Sequence, residues 1–173
     1  MAEAAHYSAT EILRDGRKIV IRALRPEDEK EMLAVLAASS LQSLRRRFFV
    51  ARRHFSEKEI AFFMNVDFRN QVALVGCSEE NGRPAIVGGA RYIVTSPGSA
   101  EVAFFVVDAF QGRGVGSILA RHLVQIARES GLHELVADVL AENGGMLNVL
   151  KKQGFEIAPA QDPQTIHLVR RLA

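Results

Sequence analysis

Apolar and polar residues follow two different periods along the chain, and the change between them predicts its elements. Lys18 to Ala23 alternates apolar and basic residues, which predicts a half-buried strand. Apolar residues at helical spacing then predict three short helices, over Pro26–Ala38, Leu41–Phe49 and from Ser56 onward. Residues 1–12 carry neither period clearly, so we expect a flexible leader there, ahead of a single domain over residues 13–173.

The second half of the chain changes from strands joined by turns to alternating strands and helices. Apolar, β-branched runs predict strands over Gln71–Ser78, Ala85–Thr95 and Ala100–Val107. The remaining predicted elements are a helix over Val115–Glu129, a strand over Leu132–Leu140, a helix over Gly145–Gln153, and strands over Phe155–Ala158 and Thr165–Arg171. An antiparallel meander followed by parallel crossovers predicts an α/β (α+β) fold, with a mixed, mostly antiparallel central sheet flanked by helices.

A turn with three glycines in five positions separates the predicted strand ending at Val107 from the helix beginning at Val115. Gly112, Gly114 and Gly116 allow the backbone to approach a ligand closely. The positive end of the following helix and its free N–H groups are then directed at that ligand. The turn therefore predicts a phosphate-binding site.

Three types of phosphate loop are candidates for this turn. A P-loop is excluded because it requires a lysine that the turn lacks. A dinucleotide fingerprint requires a third glycine where Ser117 stands, and too little chain follows for a second nucleotide-binding half. The third pattern, Gln/Arg-x-x-Gly-x-Gly/Ala, fits Gln111–Gly116 in full. This loop resembles the acyl-CoA pyrophosphate loop of the GNAT N-acetyltransferases.

Composition narrows the function without deciding it. The 173 residues are 48% hydrophobic with a net charge of +2, which gives no reason to expect nucleic-acid or membrane partners. The sequence lacks a signal peptide and any long apolar stretch, so a cytoplasmic location is expected. A lone cysteine, Cys77, excludes an internal disulfide, and the five histidines lack metal-ligand spacing. We expect no metal, and a monomer or homodimer.

The resemblance to GNAT enzymes extends beyond the loop. Its other parts are Ala100–Phe104, and Asn143 followed at the family's spacing by Gly154-Phe155. More narrowly, the chain is similar to the catalytic domain of bacterial protein lysine acetyltransferases in Arg45–Phe49, Val66–Phe68, Val72–Val75 and Val139–Asn143. The resemblance implies acetyl-CoA as cosubstrate and a protein substrate such as an acyl-CoA synthetase.

Glu101 is the candidate catalytic residue. A lysine amine has a pKa near 10.4 and is protonated at neutral pH, so acetylation needs a base. Glu101 and Asp108 are the acids of an otherwise apolar segment, and alternation places Glu101 on one face with Ala103 and Phe105. If partly buried, it should have a raised pKa. It could equally be a surface acid at a strand edge; the resemblance implies the general base.

The resemblance also assigns the cofactor side. It implies that backbone groups of Val106 and Val107 pair with the pantetheine arm, and that one of these amides polarises the thioester carbonyl. The pyrophosphate would be held by the amides of Gln111, Gly112, Arg113, Gly114, Val115, Gly116 and Ser117, with the Arg113 charge added. Asn143 is expected either to reach the acyl end or to cap a helix, and both can hold.

Two positions depart from the family pattern. Leu150 stands where many GNAT enzymes place a tyrosine that protonates the leaving thiolate, and Tyr7 and Tyr92 are poor substitutes by position. The thiolate can leave without such an acid because its pKa is near 8.5. Asp108 replaces a frequent proline, which we expect to matter less.

An arginine-rich segment, Arg45–Arg53, is interleaved with phenylalanines. Its residues are typical of a helix with a buried aromatic face and a solvated basic face. It could also recognise an acidic protein surface or the adenine-side phosphate.

The sequence therefore predicts an acetyl-CoA-dependent N-acetyltransferase that acts on a protein lysine. Acetylation of a small amine or of an amino terminus is the alternative within the enzyme class. A non-catalytic acyl-CoA sensor is the alternative outside it, favoured by the missing tyrosine and opposed by Glu101. A nicotinamide-binding domain is a more distant alternative.

Overall fold

The computed structural model describes residues 2–48, 55–80, 82–160 and 162–172. The helices are α1 (Ala2–Ala5), α2 (Glu29–Ala38), α3 (Leu41–Phe48), α4 (Glu57–Met64), α5 (Val115–Glu129) and α6 (Gly144–Lys152). The strands are β1 (Ser8–Ile12), β2 (Lys18–Ala23), β3 (Gln71–Glu80), β4 (Arg83–Ser96), β5 (Ser99–Val106), β6 (Glu134–Leu140), β7 (Glu156–Ala158) and β8 (Thr165–Arg171). No helix among these residues is long and apolar enough to cross a membrane.

The eight strands form one mixed sheet in the order β1-β2-β3-β4-β5-β6-β8-β7. Within the described residues, neighbouring strands run antiparallel except β5 and β6. The parallel pairing covers only Ser99–Glu101 against Glu134–Val136. Past Glu101 the two strands separate, which leaves one edge of β5 unpaired and opens a cleft in the sheet. The predicted mixed sheet is confirmed.

The helices cover both faces of the sheet. On one face α5 buries Leu119 and Leu123, which lie one helical turn apart and pack in one cluster with Tyr92 and Val102 of the sheet. On the other face, α2 and α4 pack their partly buried methionines and Val35 against a smaller cluster of Leu24, Ala73, Val75, Cys77 and Ile86. Because the sheet is packed on both faces, we expect the unpaired edge of β5 to keep a fixed position.

Most predicted elements have the bounds expected of them. The helix Val115–Glu129 and the strand Thr165–Arg171 agree to the residue. The capping box at Ser56 is present, with the Ser56 hydroxyl accepting from the Glu59 amide and the Glu59 carboxylate accepting from the Ser56 amide. One part of the predictions, the end of the second helix at Phe49, lies outside the described residues.

The expectation of a flexible leader over residues 1–12 is wrong for Ser8–Ile12, which pairs with β2 as an edge strand. The residue types of this strand do not alternate clearly between apolar and polar. The exposed face carries Ser8, Thr10 and Ile12, and the half-buried face is covered by residues that are distant in sequence. Glu11 is one such case, since its carboxylate lies 2.6 Å from His122 Nε2 and 2.7 Å from Arg121 Nη2 of α5. The anchoring contacts therefore come from over a hundred residues away.

A buried ion pair gives a prediction for the fold. Arg22 donates two hydrogen bonds, of 2.8 and 2.9 Å, to the carboxylate of Asp28, and both side chains are largely buried. Burial favours a higher pKa for Asp28, but the Arg22 and Arg25 hydrogen bonds outweigh it and hold the pKa below 3.8. We expect Arg22→Gln to lower the free energy of unfolding by about 2–3 kcal/mol at neutral pH, since it leaves a buried carboxylate without its partner.

The matched control is Arg171→Gln, because Arg171 is highly exposed and its contact with Glu134 is 3.8 Å. That variant should change the stability by less than about 0.5 kcal/mol. Because the Asp28 pKa is depressed on folding, the ion-pair contribution is present above pH 3.8 and is lost as the pH falls through the folded-state value. Urea titrations of the three proteins at several pH values check both points; equal losses in the two variants would contradict them.

Candidate active site

The unpaired edge of β5 directs backbone groups into the cleft. The Val107 amide donates to Val87 O of β4 at 2.9 Å, which fixes the alternation of hydrogen bonds along the antiparallel pair. By that alternation Val102, Phe104 and Val106 turn their N–H and C=O groups away from β4, toward the gap before β6. The strand thus offers a row of backbone donors and acceptors where an extended ligand could pair.

This alternation corrects one sequence-based assignment. Val107 was predicted to contribute a backbone amide to the cofactor, but that amide is already bonded to Val87. Val106 remains the candidate for that role because its N–H faces the gap, whereas its carbonyl already accepts from Gln111 Nε2 at 3.0 Å. Period-two alternation in the sequence could not decide between the two valines, since either phase fits an apolar strand.

The glycine turn has the conformation that its sequence predicts. Gly112 and Gly114 have positive φ angles of 76° and 92°. Gly114 is the N-cap of α5, whose first helical hydrogen bond runs from the Ile118 amide to Gly114 O. The amides of Val115, Gly116 and Ser117 therefore have no acceptor within the helix. With the positive end of a 15-residue helix behind them, they form a site for an anion.

A cleft of about 1010 Å³ runs along this edge. Its walls are formed by β5, the glycine turn and α6, including Phe104, Val106, Gly114, Ser117, Asn143 and Lys152. A second pocket, which shares Arg47, Phe104, Asn143 and Met146 with the first, extends to Glu101. The two together lead from the anion site to the carboxylate, which is the path that a CoA thioester requires.

Two basic residues of the cleft were not found from the sequence. Arg14 and Lys152 both line it, one from the turn after β1 and the other from the end of α6. Arg113, the basic residue that was predicted, lies instead 3.3 Å from Asp15 Oδ2 and stacks on the Phe110 ring at 5.2 Å. Arg14 carries no sequence signal of its own. It lies beside the cleft because β1, which precedes it, pairs with β2, and the sequence does not predict β1.

Asn143 caps a helix and also lines the site, so its position is compatible with both of its expected roles. Its Oδ1 accepts from the Met146 amide at 3.2 Å, so it caps the N-terminus of α6. The same residue lines both the cleft and the pocket that contains Glu101. Capping fixes the side chain at the point where the two cavities meet.

Glu101 lies at the mouth of the second pocket, opposite Val136 at the last parallel pair of the sheet. Its side chain is exposed rather than partly buried as predicted. The protein on its sheet side nevertheless raises its pKa, and the nearby negative charge of Asp138 raises it further, against the positive charges of Arg47 and His167. The raised pKa is the direction that suits a general base.

The position at which many GNAT enzymes have a tyrosine is apolar and buried in this chain. Leu150 is fully buried and lines the pocket of Glu101. Tyr92 lies on the other face of the sheet, where its hydroxyl donates to Ser130 Oγ at 3.4 Å. The Tyr7 hydroxyl is paired with His122. Among the described residues, no tyrosine reaches the cleft.

Asp108 has a larger role than its replacement of a proline suggested. Its carboxylate accepts from the Ser40 amide at 2.9 Å, from Ser40 Oγ at 3.0 Å, and from the Ser43 hydroxyl. Gln111 Nε2, in turn, donates to Ser43 Oγ at 2.9 Å as well as to Val106 O. These bonds tie the start of α3 to the glycine turn.

We expect Asp108→Ala to lower the free energy of unfolding by about 1–3 kcal/mol, since it leaves the Ser40 amide and Ser43 hydroxyl without their acceptor. The affinity for acetyl-CoA should also fall, because the turn loses its tie to α3. Thermal unfolding and calorimetric titration measure the two effects. Asp162→Ala, which removes an acceptor from an exposed turn far along the chain, is the control and should leave the affinity unchanged.

A sheet opened between two parallel strands, a helix N-terminus that binds anions and a carboxylate beside the opening together define a class of acyl-CoA-dependent transferase. The chain belongs to the acetyltransferase (GNAT) family, whose model matches residues 38–155. It is an N-acetyltransferase that uses acetyl-CoA as cosubstrate.

Three relatives show how far this similarity extends along the chain. The chain is 30% identical to acetyltransferase PA5475 of Pseudomonas aeruginosa, over 95% of this chain and 89% of that protein. It is 28% identical to acetyltransferase Pat of Mycolicibacterium smegmatis, over 82% of this chain but 42% of Pat. It is also 31% identical to an L-methionine sulfoximine/L-methionine sulfone acetyltransferase of P. aeruginosa, over 57% of this chain and 65% of that enzyme.

Solved structures agree with this assignment. The GNAT domain of S. lividans PAT is 30% identical and superposes with a TM-score of 0.86, over 95% of this chain and 97% of that domain. The acetyltransferase yncA of Salmonella typhimurium, whose structure contains its cofactor acetyl-CoA, is 19% identical with a TM-score of 0.72, over 90% of this chain and 94% of yncA. At that identity the second likeness concerns the fold alone.

Proposed function

We propose that this chain transfers the acetyl group of acetyl-CoA to a lysine amine of a protein, with Glu101 as the general base. The observation that carries the proposal is the position of Glu101. It has a raised pKa and lies in a pocket that joins the anion-binding cleft at Asn143. The likeness of Arg45–Phe49 and Val139–Asn143 to bacterial protein lysine acetyltransferases supports the choice of a protein acceptor, and the superposition on the S. lividans PAT domain supports a common fold.

The proposed reaction uses two groups of this chain, the Glu101 carboxylate and the Val106 N–H. Glu101 accepts a proton from the protonated amine, directly or through a water molecule. The neutral nitrogen attacks the thioester carbonyl, a C–N bond forms, and the N–H of Val106 donates to the oxygen as negative charge develops on it. The C–S bond then breaks, CoA leaves as a thiolate, and the nitrogen releases its second proton to water as the amide forms.

The leaving group needs no acid from this chain. A thiol pKa near 8.5 makes the thiolate a stable leaving group at neutral pH. The apolar Leu150 at the position of the usual tyrosine is consistent with this route. Cleft-lining Arg14 and Lys152, together with the amides of residues 112–117, would hold the phosphates.

A small amino acid is the second candidate acceptor. The relative that acts on L-methionine sulfoximine and L-methionine sulfone supports it. An apolar pocket with two arginines beside the site, described below, also suits the chemical character of such a molecule.

An acceptor panel tests the proposal. The protein is mixed with acetyl-CoA and, in separate reactions, an acyl-CoA synthetase, other proteins, free amino acids and simple amines. Free thiol measures turnover, and mass spectrometry locates acetyl-lysine. We expect thiol release that depends on a protein acceptor, with acetylation of particular lysines. Turnover with amino acids alone would support the second candidate, and no turnover with any acceptor would contradict both.

A further inference from the structure

Two arginines line an apolar pocket on the face of the sheet that carries Glu101. The pocket lies between the sheet and helices α2 and α4, and its walls include Leu24, Met32, Ile60 and Met64. Arg91 comes from β4 and Arg47 from α3. The proposed acetyl transfer does not require a positive charge in this pocket, so the presence of two arginines needs an explanation.

Arg91 is an arginine of the protein interior. It is 8% exposed, donates from Nη1 to Phe63 O at 3.0 Å, and lies 5.4 Å from the centre of the Phe63 ring. These contacts attach α4 to the sheet. Among the residues that the structure describes, no carboxylate forms a salt bridge with Arg91. Interior arginines are normally paired with an anion.

The register of the sheet places Arg91 close to the reacting centre. Arg91 is opposite Ala103 on β5, and Glu101 follows two residues away on the same face. Arg47 lines the apolar pocket and also the pocket of Glu101, so it lies where the two meet. The two pockets therefore adjoin at Arg47, with the carboxylate of Glu101 in one and the guanidinium group of Arg91 in the other.

The electrostatics of this space favour an incoming anion. Burial lowers the pKa of Arg47 to about 10, against the attraction of Glu101. Burial lowers the pKa of Arg91 to about 9, and the positive charge of Arg47 contributes to that shift. Glu101 is the nearby anion, but as a base it loses its negative charge when it takes the amine proton. An anion of the acceptor would then give Arg91 a negatively charged partner, which no carboxylate among the described residues provides.

We propose that Arg47 and Arg91 bind a carboxylate of the acceptor, so that the enzyme selects amines with a carboxylate close to the reacting nitrogen. Guanidinium groups are suited to this ligand because their N–H donors match the two oxygens of a carboxylate. The apolar walls would receive the adjoining hydrocarbon. The carboxylate can belong to a free amino acid or to an acidic side chain beside a target lysine. The inference rests on the proposed acetyl transfer and adds the chemical class of its acceptor.

Matched acceptors test the inference on the unaltered protein. One pair is L-leucine and L-leucinamide. The other is a blocked peptide with glutamate beside lysine and the same peptide with glutamine there. The value of kcat/KM should be about tenfold or more higher for the acid in at least one pair. In the first pair this preference would oppose the supply of neutral amine, since the less basic nitrogen of the amide is deprotonated to a larger extent at neutral pH. The pair that shows it identifies the source of the carboxylate.

Variants connect the preference to the arginines. Arg47→Gln and Arg91→Gln should each reduce the acid-to-amide ratio toward one, and Arg91→Lys should retain part of it. Arg83→Gln, at the exposed start of the same strand, is the control and should keep the full ratio. Titration with acetyl-CoA checks that Arg91→Gln still folds and binds its cosubstrate. If it does not, Arg47→Gln and the comparison of acceptors remain decisive.

The outcomes separate the two proposals. If the unaltered protein acetylates acceptors with a ratio near one in both pairs, the anion subsite is contradicted while the transferase proposal stands. The subsite is also contradicted if the ratio is high but survives in both Gln variants, because the preference then arises elsewhere. If no acceptor is acetylated at all, the proposed function itself fails. A high ratio that falls in the Gln variants supports both.

Discussion

Glu101→Gln is expected to lower kcat by about 10²- to 10³-fold while the Kd for acetyl-CoA stays within about twofold. The glutamine keeps the shape of the side chain but cannot accept a proton from the amine. The cosubstrate, in contrast, is held by β5 and the glycine turn, which the change does not touch. Steady-state kinetics and calorimetric titration measure the two quantities. A non-catalytic acyl-CoA sensor would show no change in either.

The pH dependence of kcat/KM also tests the role of Glu101 as the base, and the raised pKa of Glu101 gives the direction of the expected change. The active form of Glu101 is the carboxylate, and its pKa is raised above the ordinary value by the protein on its sheet side and by the negative charge of Asp138. The value of kcat/KM should therefore fall as the pH drops through that raised pKa. Asp138→Asn removes a neighbouring negative charge, so this acid limb should move to lower pH. An acid limb unaffected by either substitution would show that another group is the base.

Gly114→Ala is expected to weaken acetyl-CoA binding by about tenfold or more. Gly114 has a φ of 92°, which an alanine adopts only with strain of about 1–2 kcal/mol. Relief of that strain would rotate the first amides of α5 away from the anion, and the loss of one charge-assisted hydrogen bond is itself worth about 1.5–3 kcal/mol. An added Cβ meets no atom of the protein within 4 Å, so crowding within the protein is not the cause.

The control for this variant is Gly131→Ala. Gly131 has a φ of 84° and equally open surroundings, but it lies at the far end of α5. Both variants should lose similar stability in thermal unfolding, whereas the Gly114 variant alone should lose affinity for acetyl-CoA. Equal affinities in the two variants would mean that the turn does not hold the diphosphate.

The parts of this site that the sequence predicted are those encoded over short distances. The glycine turn and the helix after it are specified within twenty residues, by φ angles that favour glycine and by a regular apolar face. Glu101 was identifiable because it interrupts an apolar strand. Each of these signals depends on neighbouring residues, so a single sequence carries it.

The parts that were missed depend on contacts between distant segments. Arg14 reaches the cleft through the pairing of β1 with β2, and Asp108 matters because Ser40 and Ser43, over sixty residues earlier, donate to it. The choice of Val106 over Val107 required the hydrogen bond to Val87 on β4. Arg91 carries no signal of its own, since its position beside Arg47 depends on the packing of α3 near the sheet. Side-chain period and motif spacing contain no information on these pairings.

The most direct test of the account is a crystal structure of the protein with acetyl-CoA. We expect the pantetheine arm to pair with the edge of β5 at Val106, the diphosphate to accept from the amides of residues 112–117, and the thioester to lie beside Glu101. A cosubstrate bound outside the gap between β5 and β6, or with its thioester remote from Glu101, would contradict the account.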